Sequence, residues 1–308
     1  MPAWKLRGAS PDRWTWRAAI LLAAAWVTAG EATDLRGARR VPVTFADGTE
    51  VTLYSNSAAL VIGNGAYRNG LDPLPQAVED AGLVAAALQE NGFSVVGASN
   101  LTRRAFLDTF YDFVARYGDD PHGRVLIYVA AHGMTETLQN GARHGSLAMV
   151  DAPRLEDDPI GYHLASISMD RLYEETKRMK AHHVLVMFDA CFSGSLLAGR
   201  SGESVPKGIR QHIVNPVRQF ITAGSADEPV PAESAFRRIF VDLLQGRRPD
   251  YDHDGYLTGR ELAYLLARYV PEETHGTQSP QQAVMNQDPF DKGDFVFVLP
   301  PPRDMTPP

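Results

Sequence analysis

Two continuous apolar runs in the middle of the chain place the strongest limit on its fold. Residues 125–131 read Val-Leu-Ile-Tyr-Val-Ala-Ala, and residues 184–188 read Val-Leu-Val-Met-Phe. A strand with one face in water alternates apolar and polar residues, whereas a strand buried on both faces is apolar throughout. Amphipathic segments at 76–89 and 100–117 separate runs of this kind. In the second segment, Asn100 is the expected N-cap, and Phe106, Phe110 and Phe113 are spaced for one buried helix face. The pattern predicts an α/β fold, with a mostly parallel central sheet flanked by helices on both faces.

Each of these two runs leads to a chemically reactive side chain. His132 follows the first run, and Cys191, the single cysteine of the chain, follows the second. The carboxyl ends of neighbouring parallel strands meet at one edge of a sheet, where α/β folds place their sites. A thiol needs a base to take its proton, and a histidine supplies one. We expect Cys191 to be a nucleophile and His132 its base; a buried cysteine and a structural histidine are the alternative.

Backbone donors for a developing oxyanion are present in the same two segments. Gly133 follows His132 directly, and glycine lets the main chain approach a substrate closely. We expect the N–H groups of Gly133 and Cys191 to stabilise the negative charge on a substrate carbonyl oxygen. The sequence offers no evident carboxylate as a third member of the catalytic group.

Three motifs together resemble one known family. They are Ala131-His132-Gly133, Asp189-Ala190-Cys191 and residues 59–67, Ala-Leu-Val-Ile-Gly-Asn-Gly-Ala-Tyr. The chain resembles the caspase-like cysteine peptidases, in particular the metacaspase and bacterial caspase-like branch. The resemblance implies a caspase-haemoglobinase fold, which is a three-layer sandwich. It also implies an endopeptidase that uses a Cys/His dyad and acts on a protein or peptide. The rival interpretation is a catalytically silent, caspase-like binding module supported by calcium.

Two acidic residues carry the expectation about specificity. The resemblance places Asp80 and Asp189 in the substrate pocket, and two carboxylates there favour a basic P1 residue, Arg or Lys. The alternative is that Asp80 is a solvated helix acid and Asp189 a hydrogen-bond acceptor at a strand end. Metacaspases commonly have Ser-Gly before the histidine, whereas this chain has Ala130-Ala131. A polar contributor to the pocket is therefore expected to be missing.

Residues 250–261 match the spacing of an EF-hand calcium loop. Aspartates occupy positions 1, 3 and 5, glycine position 6 and glutamate position 12. Oxygen ligands in this order predict bound Ca²⁺, with no organic cofactor indicated; an acidic turn between two helices is the alternative. Helices are expected on either side of the loop, at 234–244 and 261–269. The expected ligands are Asp250, Asp252, Asp254, Tyr256 through its carbonyl, Thr258 and Glu261.

The first 32 residues have the composition of a signal peptide. Basic residues precede an apolar stretch at 18–29, and small residues follow it. The stretch is shorter than the roughly 20 residues that cross a bilayer, so no stable membrane span is expected after its removal. The sequence predicts an exported protein, periplasmic or secreted; tethering to the membrane by an uncleaved signal anchor is the alternative.

The rest of the chain divides at changes in composition. A β-hairpin extension around Asp47-Gly48 is predicted at 33–56, a peptidase domain containing the calcium loop at 57–300, and a disordered tail at 301–308. The 308 residues are 44% hydrophobic and carry a net charge of −7. An acidic chain has no electrostatic footprint for phosphate, so nucleic acid is not an expected partner. The oligomeric state is not indicated.

The segment after the nucleophile is rich in glycine and has no hydrophobic period. It spans residues 195–215, and it contains Arg200, Lys207 and Arg210. In the caspase-like peptidases that the chain resembles, this segment is the linker between the two halves of the catalytic fold, where self-cleavage often occurs. We expect a long loop in which these three residues are candidate cleavage sites; an ordinary solvated basic loop is the alternative.

Overall fold

The computed structural model describes residues 41–44, 50–191, 215–224 and 234–300. The predicted signal peptide, the turn of the hairpin, most of the 195–215 loop and the tail at 301–308 lie outside the described residues. Within the described residues, no helix is both long enough and apolar enough to cross a bilayer.

The described elements alternate between strands and helices over most of the chain. In order they are β1 (Val41–Thr44), β2 (Glu50–Tyr54), β3 (Asn56–Gly63), α1 (Pro75–Glu90), β4 (Ser94–Ser99), α2 (Arg103–Tyr117), β5 (Gly123–Ala130), β6 (Gly133–Thr137), β7 (Arg143–Ala148), α3 (Pro159–Leu164), β8 (Ser166–Ser168), α4 (Met169–Arg178), β9 (His183–Cys191), β10 (Val217–Gly224), α5 (Ala235–Leu244), β11 (Tyr256–Thr258), α6 (Gly259–Glu273), β12 (Gln281–Val284) and β13 (Val296–Val298).

The central sheet has six strands among the described residues, in the order β12-β10-β9-β5-β3-β4. Neighbours from β10 to β4 are parallel, and β12 adds an antiparallel edge. Parallel neighbours need a crossover, and helices α1 and α2 provide it around β3, β4 and β5. The sheet is therefore mostly parallel, as the sequence predicts.

Both faces of this sheet are covered. On β5, Leu126 and Tyr128 belong to the core beneath α1, α5 and α6, whereas Ile127 and Val129 belong to the core beneath α2 and α4. Successive side chains of a strand point to opposite faces, so a strand between two helical layers must be apolar at every position. The continuous apolar runs of the sequence thus correspond to a three-layer α/β sandwich.

The start of α2 differs from the sequence-based expectation, in which Asn100 is the capping residue. The N-cap is Thr102, whose hydroxyl accepts the N–H of Ala105. Asn100 has a φ of 54° instead, and its side-chain oxygen accepts the N–H groups of Gly65 and Ala66 at 2.9 and 2.8 Å. Asparagine tolerates the left-handed region, so it holds the loop after β3 rather than the helix.

Smaller sheets complete the fold. β1 and β2 pair antiparallel around the predicted turn, β6, β7 and β8 form a three-stranded sheet, and β11 pairs with β13. The sequence analysis did not identify β6 or β12, because neither segment has a sustained apolar pattern. The helix expected at 261–269 is longer than predicted, since α6 starts at Gly259 and continues past Pro271.

Candidate active site

Strands β5 and β9 bring the two predicted catalytic segments to one edge of the sheet. The strands are parallel neighbours, and Ala130 is paired in register with Asp189. His132 follows Ala130 by two residues, and Cys191 follows Asp189 by two residues. The backbones that carry the base and the nucleophile therefore leave the sheet side by side. The Cys191 side chain lies outside the described part of the structure.

A backbone carbonyl sets the tautomer of His132. The ring Nε2 lies 2.9 Å from the carbonyl oxygen of Asp72. A carbonyl can only accept a hydrogen bond, so Nε2 carries the proton and Nδ1 keeps the lone pair. The group that orients the His132 ring is thus a main-chain carbonyl. The sequence had offered no carboxylate for this role. A main-chain group has no signature in the sequence.

Tyr67 holds His132 from a second side. Its hydroxyl accepts the backbone N–H of His132 at 2.8 Å and donates to the Ala148 carbonyl at 3.3 Å. The two rings lie 4.7 Å apart, centroid to centroid. Burial raises the pKa of the Tyr67 hydroxyl, so it stays protonated and keeps both bonds. Tyr67 is the last residue of the 59–67 motif, but the sequence did not indicate its role.

Arg154 supports the loop that carries the Asp72 carbonyl. Its Nε donates to the Gly70 carbonyl at 2.6 Å, and its Nη2 donates to the Asp72 carboxylate at 3.2 Å. The guanidinium thus joins two points of the same loop. Arg154 is a positioning residue for His132 that sequence reasoning missed.

Gly133 lies where the main chain passes from the central sheet to the smaller one. It is the first residue of β6 and pairs with Leu147 of β7. The neighbouring carbonyl of His132 accepts the N–H of Ala148 at 2.9 Å. The pairing holds the backbone beside the base in an extended conformation. The oxyanion role of the Gly133 and Cys191 N–H groups stays a prediction.

A small pocket opens beside these segments. It lies next to the predicted dyad because Ala130 and Asp189, the residues two positions before His132 and Cys191, both line it. Asp80 lines it as well, so the structure brings the two predicted specificity residues into one pocket. The lining residues among those that the structure describes are Leu74, Gln76, Ala77, Asp80, Ala130, Asp189 and Ser234.

Asp189 is held by two hydroxyl groups. Its Oδ2 accepts hydrogen bonds from the Tyr128 hydroxyl and the Ser234 hydroxyl, each at 2.7 Å. Among the described residues, Oδ1 has no hydrogen-bond donor. Burial raises the pKa of Asp189 to about 6, against the lowering effect of the two hydroxyl bonds. Ser234 also supplies a polar group to the pocket, where the sequence analysis expected one to be missing.

Asp80 already has a cationic partner. The Nε of Arg237 donates to Asp80 Oδ1 at 2.8 Å, and the Gln76 amide donates to the same oxygen at 3.0 Å. Both charged side chains are buried, at 10% and 4% exposure for Arg237 and Asp80. Sequence reasoning missed Arg237. The available signal was its place on the apolar stripe of α5, one turn before Phe240 and Val241, where a charge requires a buried partner.

The predicted calcium loop gathers part of its expected ligand set. Carboxylate oxygens of Asp250, Asp252 and Asp254 lie within 4.8 Å of one another. Asp250 Oδ2 accepts the N–H of Gly255 and Asp254 Oδ1 accepts the N–H of Tyr256, both at 2.8 Å. Gly255 has a φ of +83°, as the sharp turn at the sixth loop position requires. Three hard oxygen donors at this spacing suit Ca²⁺.

The end of the loop has a second role. Tyr256 and Thr258 lie in β11, and Glu261 lies in the first turn of α6. Glu261 Oε2 accepts the Thr258 N–H at 2.8 Å, and the Thr258 hydroxyl accepts the Glu261 N–H at 3.2 Å. This capping box holds the Glu261 carboxylate, which among the described residues is not part of the three-aspartate group.

Comparison with known proteins identifies the family of the chain. The model of the Caspase domain matches residues 56–290. Similar solved structures include the Drosophila initiator caspase Dronc, with 10% identity, coverage of 78% of this chain and 82% of that chain, and a TM-score of 0.49. Protein GSU0716 from Geobacter sulfurreducens has 17% identity, coverage of 79% and 99%, and a TM-score of 0.48. No curated protein matches significantly. The chain belongs to the caspase-domain family of cysteine peptidases, and it has the caspase fold.

Proposed function

We propose that the protein is an active cysteine endopeptidase of the metacaspase or bacterial caspase-like branch, with a His132/Cys191 dyad. The observation that carries the proposal is the register of β5 and β9, which pairs Ala130 with Asp189 two residues before the base and the nucleophile. The oriented imidazole supports it, because Nδ1 is left unprotonated by the hydrogen bond from Nε2 to the Asp72 carbonyl. A caspase-family domain also implies a protein substrate.

The chemistry proceeds in two stages. The Cys191 thiol gives its proton to His132 Nδ1, and the thiolate sulfur bonds to the substrate carbonyl carbon while the carbonyl electron pair moves to oxygen. The N–H groups of Gly133 and Cys191 stabilise that oxyanion. The C–N bond then breaks as the imidazolium protonates the leaving amine. Water, deprotonated by the imidazole, hydrolyses the acyl-enzyme and restores the thiol.

The proposed substrates carry Arg or Lys at P1. Asp80 and Asp189 line the pocket beside the dyad, and the buried Arg237 pairs with Asp80 from behind the pocket wall. Among the described residues, these three charged groups sum to one net negative charge when both aspartates are ionised. A single positive side chain would balance that charge. A guanidinium or ammonium group can also donate hydrogen bonds to a carboxylate oxygen.

We also propose that residues 250–261 bind Ca²⁺. The three converging aspartates support the site, with the Tyr256 carbonyl, Thr258 and Glu261 as the remaining ligands. A bound ion would neutralise carboxylates that otherwise repel one another, and it would stabilise the connection between β11 and α6.

Labelling by a peptidyl electrophile with Arg at P1 tests the central proposal. Wild-type protein should be labelled under reducing conditions, and a matched reagent with Asp at P1 should label far less. Cys191→Ala and His132→Ala should be about equally inactive on a P1 Arg peptide, because base and nucleophile act as one unit. Turnover by either folded variant would contradict the dyad. Absence of labelling with and without calcium would favour the silent binding module.

Export and self-processing complete the proposal, and both rest on sequence features. The mature protein should begin near residue 33, and N-terminal sequencing of exported material checks this. Self-cleavage should occur after Arg200, Lys207 or Arg210 and leave two associated fragments, whereas Cys191→Ala should stay whole. Cuts only after acidic residues would contradict the pocket, and cuts in Cys191→Ala would show that another protease made them.

A further inference from the structure

The pairing of Arg237 with Asp80 changes what the pocket can recognise. We propose that Arg237 is a specificity-determining residue: it cancels the charge of Asp80, so that Asp189 alone receives the substrate and the pocket accepts one side chain of single positive charge. The inference rests on the proposed function, since it names the group that sets the charge of the same pocket. Arg237 acts through Asp80, because it does not line the pocket itself.

The distances and burial support a permanent ion pair. The Arg237 Nε and Asp80 Oδ1 atoms lie 2.8 Å apart, and both side chains are at most 10% exposed. Charged hydrogen bonds of this length are strong, and a buried pair loses little to solvent screening. The partners come from different helices, α5 and α1, and are 157 residues apart in the chain. The pair is therefore built into the packing of the pocket wall.

The position of Asp189 supports the second half of the proposal. The hydroxyls of Tyr128 and Ser234 hold Oδ2, and Oδ1 has no donor among the described residues. Among the described residues, the groups that face Asp189 are Tyr128 from β5, Ser234 at the N-cap of α5, Arg237 from α5 and Asp80 from α1. Of these, Arg237 favours ionised Asp189 and Asp80 opposes it. Since the two opposite charges act together, Asp189 stays available as the single anion.

Replacement of Arg237 by glutamine should leave the charge of Asp80 without its described cationic partner. Two buried carboxylates would then face one pocket, and like charges at close range cannot both ionise easily, so one would bind a proton near neutral pH. Replacement of Asp80 by asparagine should have the opposite effect, because Arg237 and Asp189 would then sum to zero. Replacement of both should return the pocket to one negative charge. A merely structural ion pair would predict none of these differences in ligand binding.

Binding of N-butylguanidinium, a mimic of the arginine side chain, separates these cases without the need for activity. Its affinity is measured by NMR titration from pH 5 to pH 8 in full-length Cys191→Ala protein, with N-butylurea as the uncharged control. We expect binding that weakens in acid with a midpoint near pH 6. Adding Arg237→Gln should raise the midpoint by about one pH unit, and adding Asp80→Asn should weaken binding at pH 8 at least tenfold. The double change Asp80→Asn/Arg237→Gln should restore the original midpoint.

Arg238→Gln is the matched control, because Arg238 lies beside Arg237 on α5 but pairs with Glu273, at 2.7 Å. It should leave the midpoint unchanged. An unshifted midpoint in folded Arg237→Gln, or unchanged affinity in Asp80→Asn, would overturn the proposal, as would absence of binding by the Cys191→Ala protein. If Arg237→Gln does not fold, Asp80→Asn and the double variant decide.

Failure of the proposed function would appear elsewhere, as absence of P1 Arg cleavage by protein that retains Cys191. The guanidinium results would then still support or overturn the assignment of Arg237. Conversely, the protein could cleave after Arg while Asp80→Asn has no effect on guanidinium binding. That result would support the proposed peptidase activity and overturn the role of Arg237 in its specificity.

Discussion

Two acidic clusters among the described residues are compensated in opposite ways. In the pocket, buried Asp80 and Asp189 receive hydrogen bonds from a guanidinium, an amide and two hydroxyl groups. In the 250–261 loop, the carboxylates of Asp250, Asp252 and Asp254 converge within 4.8 Å, and backbone N–H groups donate to two of them. In the pocket, neighbouring side chains already balance most of the charge, whereas for the loop we propose a cation from outside.

The comparison indicates what each cluster is suited to bind. The described charged groups of the pocket sum to one net negative charge, which suits the single positive side chain that we propose as its ligand, and their hydrogen-bond partners hold the acceptor in one orientation. A group of three carboxylates, with two of them exposed, matches a divalent ion that tolerates flexible oxygen ligands. Residue type alone does not distinguish a pocket for a cationic side chain from a site for a divalent ion. The groups that surround each carboxylate make this distinction.

The largest effect should follow from Asp189→Asn. The change removes the charge that receives a P1 cation but keeps the side-chain shape, so kcat/KM for a P1 Arg peptide should fall by roughly 100-fold, as for a lost charged hydrogen bond. Steady-state kinetics measure the effect, and Asp108→Asn, an exposed acid on α2, is the control. Equal loss in both variants would contradict a specific role for the pocket carboxylate.

Calcium should stabilise the loop region by a comparable free energy. Saturation at about 100 times Kd contributes about 2.7 kcal/mol, which corresponds to a rise in Tm of roughly 5 °C or more. Thermal melts of Cys191→Ala protein in calcium and in chelator measure the shift. Glu261→Gln should weaken it, because glutamine can keep the capping box but loses the charge.

The control for that experiment is Glu272→Gln on the same helix, where Glu272 pairs with Arg268 at the surface. It should leave the calcium response intact. Identical melting curves in chelator and in millimolar calcium would reject the loop as a metal site. The loop would then differ less from the pocket, because neither cluster would bind a metal cation.

Acid should weaken the preference for P1 Arg about tenfold. Asp189 has a pKa of about 6, raised by burial, so it is mostly ionised at pH 7 and mostly protonated at pH 5. Recognition of a cation therefore declines as the pH falls through 6. The ratio of kcat/KM for P1 Arg to that for P1 Gln measures this, because the chemical step is common to both substrates. In Asp189→Asn the ratio should not change with pH; a persistent change would assign the titration to another group.

The smallest effect should come from Gly255→Ala. Alanine is strained at a φ of +83°, so the free energy of unfolding should fall by about 1 kcal/mol and the calcium response should weaken. Gly141→Ala is the matched control, because Gly141 has a φ of +79° and both positions are open around the added methyl group. It should lower Tm similarly and leave the calcium response unchanged. Equal calcium responses in the two variants would separate the turn from metal binding.

Local pattern was sufficient for much of the fold. Apolar runs predicted buried parallel strands, and the spacing of Phe106, Phe110 and Phe113 predicted the buried face of α2, where the structure places all three. Helix boundaries were harder to predict from the sequence, because several neighbouring residues can act as the N-cap. Thr102 rather than Asn100 caps α2, since Asn100 holds the loop after β3. The edge strand β12 forms because β10 offers it a partner, and that is invisible in the segment itself.

The sequence by itself determined the α/β class, the segments that carry His132 and Cys191, and the acidic residues of the loop, since these depend on residue type and short-range spacing. The acidic residues of the pocket came from the family resemblance. Only the tertiary structure decided that β5 and β9 are neighbours, that the Asp72 carbonyl orients the imidazole, and that Arg237 pairs with Asp80 across 157 residues. Contacts of that range depend on how helices pack on the sheet. Burial then strengthens the selected charge pairs, because water no longer screens them.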